Sequence, residues 1–283
     1  MLDELTEFNK SEVASFLRKR DGQVNKEKNA KSLIHGKNHA DRVSLLSMMI
    51  AKDEGIFNYS NLEEKKEAER RMEILSYAAY YHDIGRIGDT GPHAKRSARR
   101  INRMDLIDIN GKKLDDKDKN IIKMLVELHE ARDDKFERYC TKYNIANEDK
   151  AMALDLSKCL KDADALDRCR LDVKILSNHP DLNPKYLRTN SAKQMLDLSY
   201  GLEYLSGKVK FNEVIKFGCN EHDINRYVSV EETKEAEERD KFRTNLREKV
   251  EIGNVEKQKE NEIANNKETE MEYNKEEKGE YKE

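Results

Sequence analysis

Four stretches of this chain carry apolar residues at helical spacing, and each ends or begins on a histidine or an aspartate. His39, Val43, Leu46 and Ile50 fall at i, i+4, i+7 and i+11, one continuous helical stripe. Leu75, Ala78, Ala79 and His82 share a second stripe, with Asp83 at its edge. Ile122, Leu125, Val126 and His129 form a third, and Leu156, Leu160 and Asp164 a fourth. A buried carboxylate without a partner costs several kcal/mol even after relaxation. Asp164 on an inward stripe therefore calls for a cation or strong donors, and a divalent metal shared with neutral imidazoles satisfies it.

The rest of the pattern is helical too. The chain has only three prolines, Pro92, Pro180 and Pro184. It has no Asn-Gly or Asp-Gly turn flanked by alternating residues, and the three-and-four spacing persists almost everywhere. The spacing predicts an all-α protein with helices at roughly 2–20, 38–54, 61–82, 93–105, 115–131, 148–168 and 191–206. Gly55 is expected to close the second, and Asp89 and Thr90 to offer caps before Pro92 at the start of the fourth. Residues 177–190, with the other two prolines, read as a loop.

Charge divides the chain in two. Residues 231–283 hold 18 acidic and 12 basic side chains, a net of −6, whereas the whole chain is −3. Residues 1–230 thus carry about +3 and are long enough for one sizeable core. The segment 231–283 cannot bury enough apolar surface to offset its ordering entropy, so a disordered or partly helical tail is expected. A weak partner-binding role for the tail stays open. No stretch approaches the roughly 20 apolar residues that cross a bilayer, and the acidic start has no signal-peptide core. The cysteines Cys140, Cys159, Cys169 and Cys219 form no CxxC pair and read as reduced thiols. The expectation is a cytoplasmic protein that engages neither membrane nor nucleic acid, the body being too nearly neutral for the latter.

The motifs themselves are HADRV with His39, an apolar run into HDIGR with His82 and Asp83, and DADALD with Asp164. Their order, the HxxRV flank and the DAD context resemble the HD-domain metal-dependent phosphohydrolases over residues 35–170. The resemblance implies an all-α HD-domain helical bundle with its ligands on separate helices around one pocket. It implies Mn, Fe, Mg, Ni, Co or Zn as cofactor, and hydrolysis of phosphate esters, often of nucleotides. Of the three aspartates in DADALD, it places the ligand at the second, Asp164, rather than at Asp162. Periodicity agrees, since Asp162 lies about 200° around the helix from Leu160 and is expected to face solvent or serve as a cap partner. Asp167 is a candidate to orient a histidine or pair with an arginine, and Arg42 to support the site or pair with an acid. With His93 and His129 added, the order H…HD…H…H…D resembles the subset of the family that holds two metals, with Asp83 bridging; a helix cap for His93 and a stripe end for His129 are the plain alternatives. His35 is expected in a turn before the helix of His39. A second HD pair, His222–Asp223, follows no helical stripe and reads as a surface turn or cap.

Nitrogen and carboxylate ligands without thiolate suit Mn, Fe, Co, Ni or Zn, and such an ion activates water and clamps a phosphoryl oxygen. Asp83 and Arg86 are then the catalytic candidates. Arg86, where family members often carry lysine, is the first choice for holding phosphate oxygens and Lys95 the second. Arg99 and Arg100 read as a solvated face. The reading is a metal-dependent phosphohydrolase acting on a nucleotide or related small phosphate ester, with one or two ions. Its alternatives are a non-catalytic module that binds a phosphorylated ligand and, further off, a di-iron oxygenase on the same scaffold.

Overall fold

The computed structural model describes residues 2–26, 35–87, 93–170, 184–206 and 210–216. By internal contacts the chain divides into one compact unit, residues 1–182 with 187–232, and a second, residues 183–186 with 233–283. Of the second unit only the 3₁₀ turn Pro184–Tyr186 is described. The tail 231–283, His222–Asp223, Cys219, the caps at Asp89 and Thr90, Pro92 and most of the loop 177–190 lie outside the described residues.

The first unit is all-α. In chain order it contains α1 (Leu2–Asn9), α2 (Glu12–Gln23), α3 (Lys37–Asp53), α4 (Leu62–Tyr81), α5 (Ala94–Asn102) and α6 (Asp116–Leu128). These are followed by α7 (Phe136–Tyr143), α8 (Asn147–Leu166), α9 (Asn190–Gln194), α10 (Leu196–Ser206) and α11 (Phe211–Val214). The described residues contain no β-strand, only an isolated antiparallel bridge between Ile107 and Lys113. None of the described helices is long and apolar enough to cross a membrane.

The expected helices form, with instructive differences. The first is two, because the Ser11 side chain accepts the Ala14 N–H at 3.2 Å and starts α2 afresh. The last divides into α9 and α10 at Met195. Helices α7 and α11 were not expected; α7 is short and buries only Phe136 and Cys140. Asn110–Gly111 also makes a turn after all. Gly111 takes φ +86°, and Leu114 N–H donates to Leu106 O at 2.9 Å across it. Its flanks do not alternate, so the pairing stops at one bridge. Gly55 ends α3 as expected, at φ +73°, with Ile56 N–H reaching back to Ala51 O at 2.9 Å.

The core lies where α3, α4, α6 and α8 pack on one another, with α5 and α7 laid against α6. Val43, Leu46, Ile50, Leu75, Ala78, Ile122, Val126, Leu156 and Leu160 are all fully buried there. The four stripes therefore do converge. Cys140, Cys159 and Cys169 are free thiols, the first two buried.

A buried polar knot fastens α2 to α4. Arg20 is fully buried, pairs with Glu73, donates to Ile107 O at 3.0 Å, and lies 4.0 Å from the centroid of the Tyr77 ring. Removing one partner leaves a buried charge uncompensated. Arg20→Met is expected to lower stability by about 3–5 kcal/mol in urea unfolding, and Arg20→Met with Glu73→Leu to recover most of that loss. Equal destabilisation by the single and double variants contradicts this account of the knot.

Candidate metal centre

The stripes deliver their polar ends to one place. His39 sits in the first turn of α3, and His82 and His129 cap the C-termini of α4 and α6. Asp83 follows His82, Asp164 lies in the last turn of α8, and His93 stands at the N-cap of α5 without a side-chain capping bond. His39 Nε2 is 2.9 Å from His82 Nε2 and 3.4 Å from Asp164 Oδ1. Asp83 Oδ2 lies 3.7 Å from His39 Nε2 and 3.9 Å from His82 Nε2. Its other oxygen, Oδ1, is 2.5 Å from His93 Nε2 and 3.7 Å from His129 Nε2. His93 and His129 meet through their Nε2 atoms at 3.1 Å. One carboxylate thus stands between two pairs of imidazoles.

The proton positions follow from the outer contacts. His82 Nδ1 is 2.8 Å from Ala79 O, and His129 Nδ1 is 2.6 Å from Val126 O. A carbonyl only accepts, so both Nδ1 atoms carry hydrogen and both Nε2 atoms turn lone pairs to the cluster. His39 Nδ1 donates to Asp167 Oδ2 at 2.6 Å, and that carboxylate is also held by Arg42 Nε at 2.5 Å. His93 Nδ1 lies 2.8 Å from Glu130 Oε1. Four ring nitrogens with oriented outer partners and two carboxylates are a donor set that suits a divalent cation. A spacing of 2.9 Å is that of two nitrogens on one ion at metal–nitrogen distances of ~2.0–2.1 Å. The residues fit a metal.

Electrostatics point the same way. Burial alone raises the Asp83 carboxyl, but the surrounding imidazoles, with hydrogen bonds from His35 and His93, hold it well below the usual carboxylate range. At Asp164 desolvation also acts upward, and His39 and His82 outweigh it, although a third of that side chain remains exposed. Burial pushes the His82 imidazole down to about 4. Burial acts downward on His93 as well, yet Asp83 and Glu130 prevail and push it up to about 9.

His39, His82, Asp83, His93, His129 and Asp164 are therefore brought together. Arg86 joins them, with Nε 2.9 Å from Asp83 Oδ2 and Nη2 3.0 Å from His93 Nε2. Lys95 does not: it is exposed on the first turn of α5 and makes no ion pair with the cluster. Arg100 is not merely solvated, since it donates to Ile84 O. Asp162 turns away from the cluster but faces protein, not solvent. It is fully buried and accepts Thr189 N–H and Arg188 N–H, both at 2.8 Å, just ahead of α9. Two residues were missed. His35 does sit in the turn before α3, yet its Nδ1 reaches Asp83 Oδ2 at 3.1 Å. Glu130 is exposed and has no stripe to mark it; its only signal is adjacency to His129.

The loop after the HD pair is fixed by α5. Gly85 N–H donates to Ser97 Oγ at 2.8 Å, and Arg96 Nε donates to Gly85 O at 2.9 Å. A Cβ on Gly85 would fall on the Ser97 amide and 2.6 Å from the Arg96 carbonyl carbon.

A family model described as HD domain matches residues 37–169. No curated protein and no solved structure matches the chain.

Gly85→Ala is expected to keep the helical spectrum while weakening divalent-metal binding about 10–100-fold by calorimetry, because the loop carrying Asp83 and Arg86 must shift; unaltered binding refutes this. In the metal-free protein the two perturbed histidines act at opposite ends of the pH scale. The lowered His82 value means wild type loses stability relative to His82→Asn as pH falls from 6.5 toward about 4. The raised His93 value means its contribution is complete below 6.5, and wild type loses its advantage over His93→Asn as pH rises through about 9. Thermal melts of the three proteins across that range in chelator give the answer; parallel curves reject both assignments.

Proposed function

We propose, from the premise that this chain belongs to the HD-domain family, that it is a metal-dependent phosphohydrolase acting on a nucleotide or related small phosphate ester. The observation that carries the reading is the Asp83 carboxylate, with one oxygen toward His39 and His82 and the other toward His93 and His129. That arrangement supports two ions. His39, His82, Asp83 and Asp164 would hold one, and Asp83, His93 and His129 the other. Divalent ions there supply Lewis acidity, which makes water acidic enough to be a nucleophile near neutral pH and draws charge from a phosphoryl oxygen.

The chain's own residues do the rest. Asp83 fixes the spacing between the two histidine pairs. Asp167 and Glu130 hold His39 and His93 by their Nδ1 atoms, so that each Nε2 stays aimed inward. Arg86 stands at the edge of the cluster with a planar fork suited to two phosphate oxygens, which makes it the phosphate clamp. Lys95, in the first turn of α5, meets the part of the substrate that projects outward. The partly exposed side of Asp164 marks where solvent reaches the cluster. A cytoplasmic location belongs to the same proposal.

The test is phosphate release from a panel of nucleotides and dinucleotides, with and without Mn, Co, Ni, Fe, Mg or Zn, beside metal analysis of the purified protein. Release should depend on metal, fall to background in Asp83→Ala and Asp164→Ala, and drop about 10²–10³-fold in kcat for Arg86→Ala. Tight binding of a phosphorylated ligand without turnover identifies a binding module instead. Iron with oxygen consumption identifies an oxygenase.

A further inference from the structure

The segment His93–Met104 holds five cations and no acid, in a chain whose acidic residues outnumber its basic ones. Lys95 and Arg99 of α5 and Arg103 at its C-cap fall at i, i+4 and i+8, all exposed, so one charge recurs every ~6 Å along this face. Arg96 and Arg100 turn the other way and donate to Gly85 O and Ile84 O, which are neutral acceptors. None of the five makes an ion pair with a carboxylate among the described residues. Helix α6 extends the pattern. Lys119 donates to Met104 O at 2.7 Å and Lys123 to Asn102 Oδ1 at 3.0 Å, again neutral partners.

Aromatic rings flank this row. Lys123 Nζ lies 5.8 Å from the Tyr143 ring centroid, and Lys142 Nζ 5.6 Å from that of Tyr139. Both tyrosines are half-buried, one turn apart on α7. Three of the nearby acids are already engaged, Glu127 by Lys142 and Tyr143, Glu130 by His93 and Ala94 N–H, and Asp105 by Lys113, while Asp116 offsets part of the charge of Lys123 without pairing with it. The cationic row starts at His93, inside the cluster.

We propose that this face of α5, α6 and α7 binds a short single-stranded oligonucleotide whose terminal phosphate enters the His/Asp cluster. Unneutralised cations at regular spacing track a phosphate backbone, and half-buried tyrosines beside them give bases a surface to stack on. The near-neutral total charge of the body, which argues against nucleic acid, conceals a local excess on this face. The proposal deepens the phosphohydrolase reading and rests on it for the chemistry; the binding stands without it.

Fluorescence anisotropy of an end-labelled ten-residue oligothymidylate, titrated with the full chain carrying Asp83→Asn so that the strand stays whole, reads the face directly. Affinity should fall by about 100-fold between 50 and 200 mM salt, as for about five phosphate contacts. Adding Lys95→Glu, Arg99→Glu and Arg103→Glu should weaken binding at least about tenfold at 50 mM salt and lower the salt slope by about 2, with an unchanged melting temperature. Equal affinity of the charge-reversed and parent chains overturns the proposal. So does displacement of the strand by inorganic polyphosphate as efficiently as by unlabelled strand at equal phosphate. A wild-type chain that binds the strand but hydrolyses no phosphate ester removes the phosphohydrolase reading and leaves the face. Turnover of mononucleotides by a chain that does not bind the strand does the reverse.

Discussion

Asp83 is a carboxylate held almost out of water, and the cost of burying its charge organises the molecule around it. Three elements supply the compensation. The turn before α3 brings His35, the N-cap of α5 brings His93, and the loop after α4 brings Arg86. The price of one buried anion is thus spread over segments distant in sequence, and each must be in place for the others to be satisfied. This makes the polar cluster a constraint on how α3, α4 and α5 meet, not an addition to a finished bundle.

The histidines are set by a device that appears twice. His82 and His129 each follow the last residue of a helix, and each Nδ1 donates to the carbonyl three residues back. Those carbonyls belong to the final turn, where main-chain acceptors have no intrahelical partner. One bond therefore satisfies an orphan carbonyl, fixes the tautomer and aims Nε2 forward. His39, at the opposite end of its helix, has no such carbonyl to use. Asp167 stands in for it, and Arg42, one turn along α3, holds that carboxylate in turn. The end of α8 is thereby tied to the start of α3 through the His39 imidazole.

How much of this the sequence discloses depends on whether a residue lies on a regular stripe. His39, His82, His129 and Asp164 extend apolar stripes of period 3.6, so the pattern exposes them. His35 acts from a turn, where no period carries it to Asp83. Glu130 is solvent-facing, and its bond to His93 is a tertiary fact with no local trace. Asp162 was legible in direction, away from Leu160, but not in surroundings, because its donors Arg188 and Thr189 come from a segment 26 residues on. The break between α1 and α2 turns on the Ser11 hydroxyl, a single hydrogen bond amid helix-favouring neighbours. Helix α7 has eight residues and only two buried positions, too few to register as a period.

Charge connects these details to chemistry. The side chains in direct contact at the cluster are four carboxylates, Asp83, Asp164, Asp167 and Glu130, against two guanidiniums, Arg42 and Arg86, and the His93 imidazole, which its raised value keeps protonated at neutral pH. One negative charge remains, and it disfavours a phosphate. A divalent ion that displaced the His93 proton would bring the sum to zero, and a second would make the pocket cationic. Without metal the cluster therefore offers an anion little attraction, beside a helix whose exposed cations would attract one. On the proposed reading, α5 would hold the anion outside and a metal-loaded cluster would draw its phosphate in.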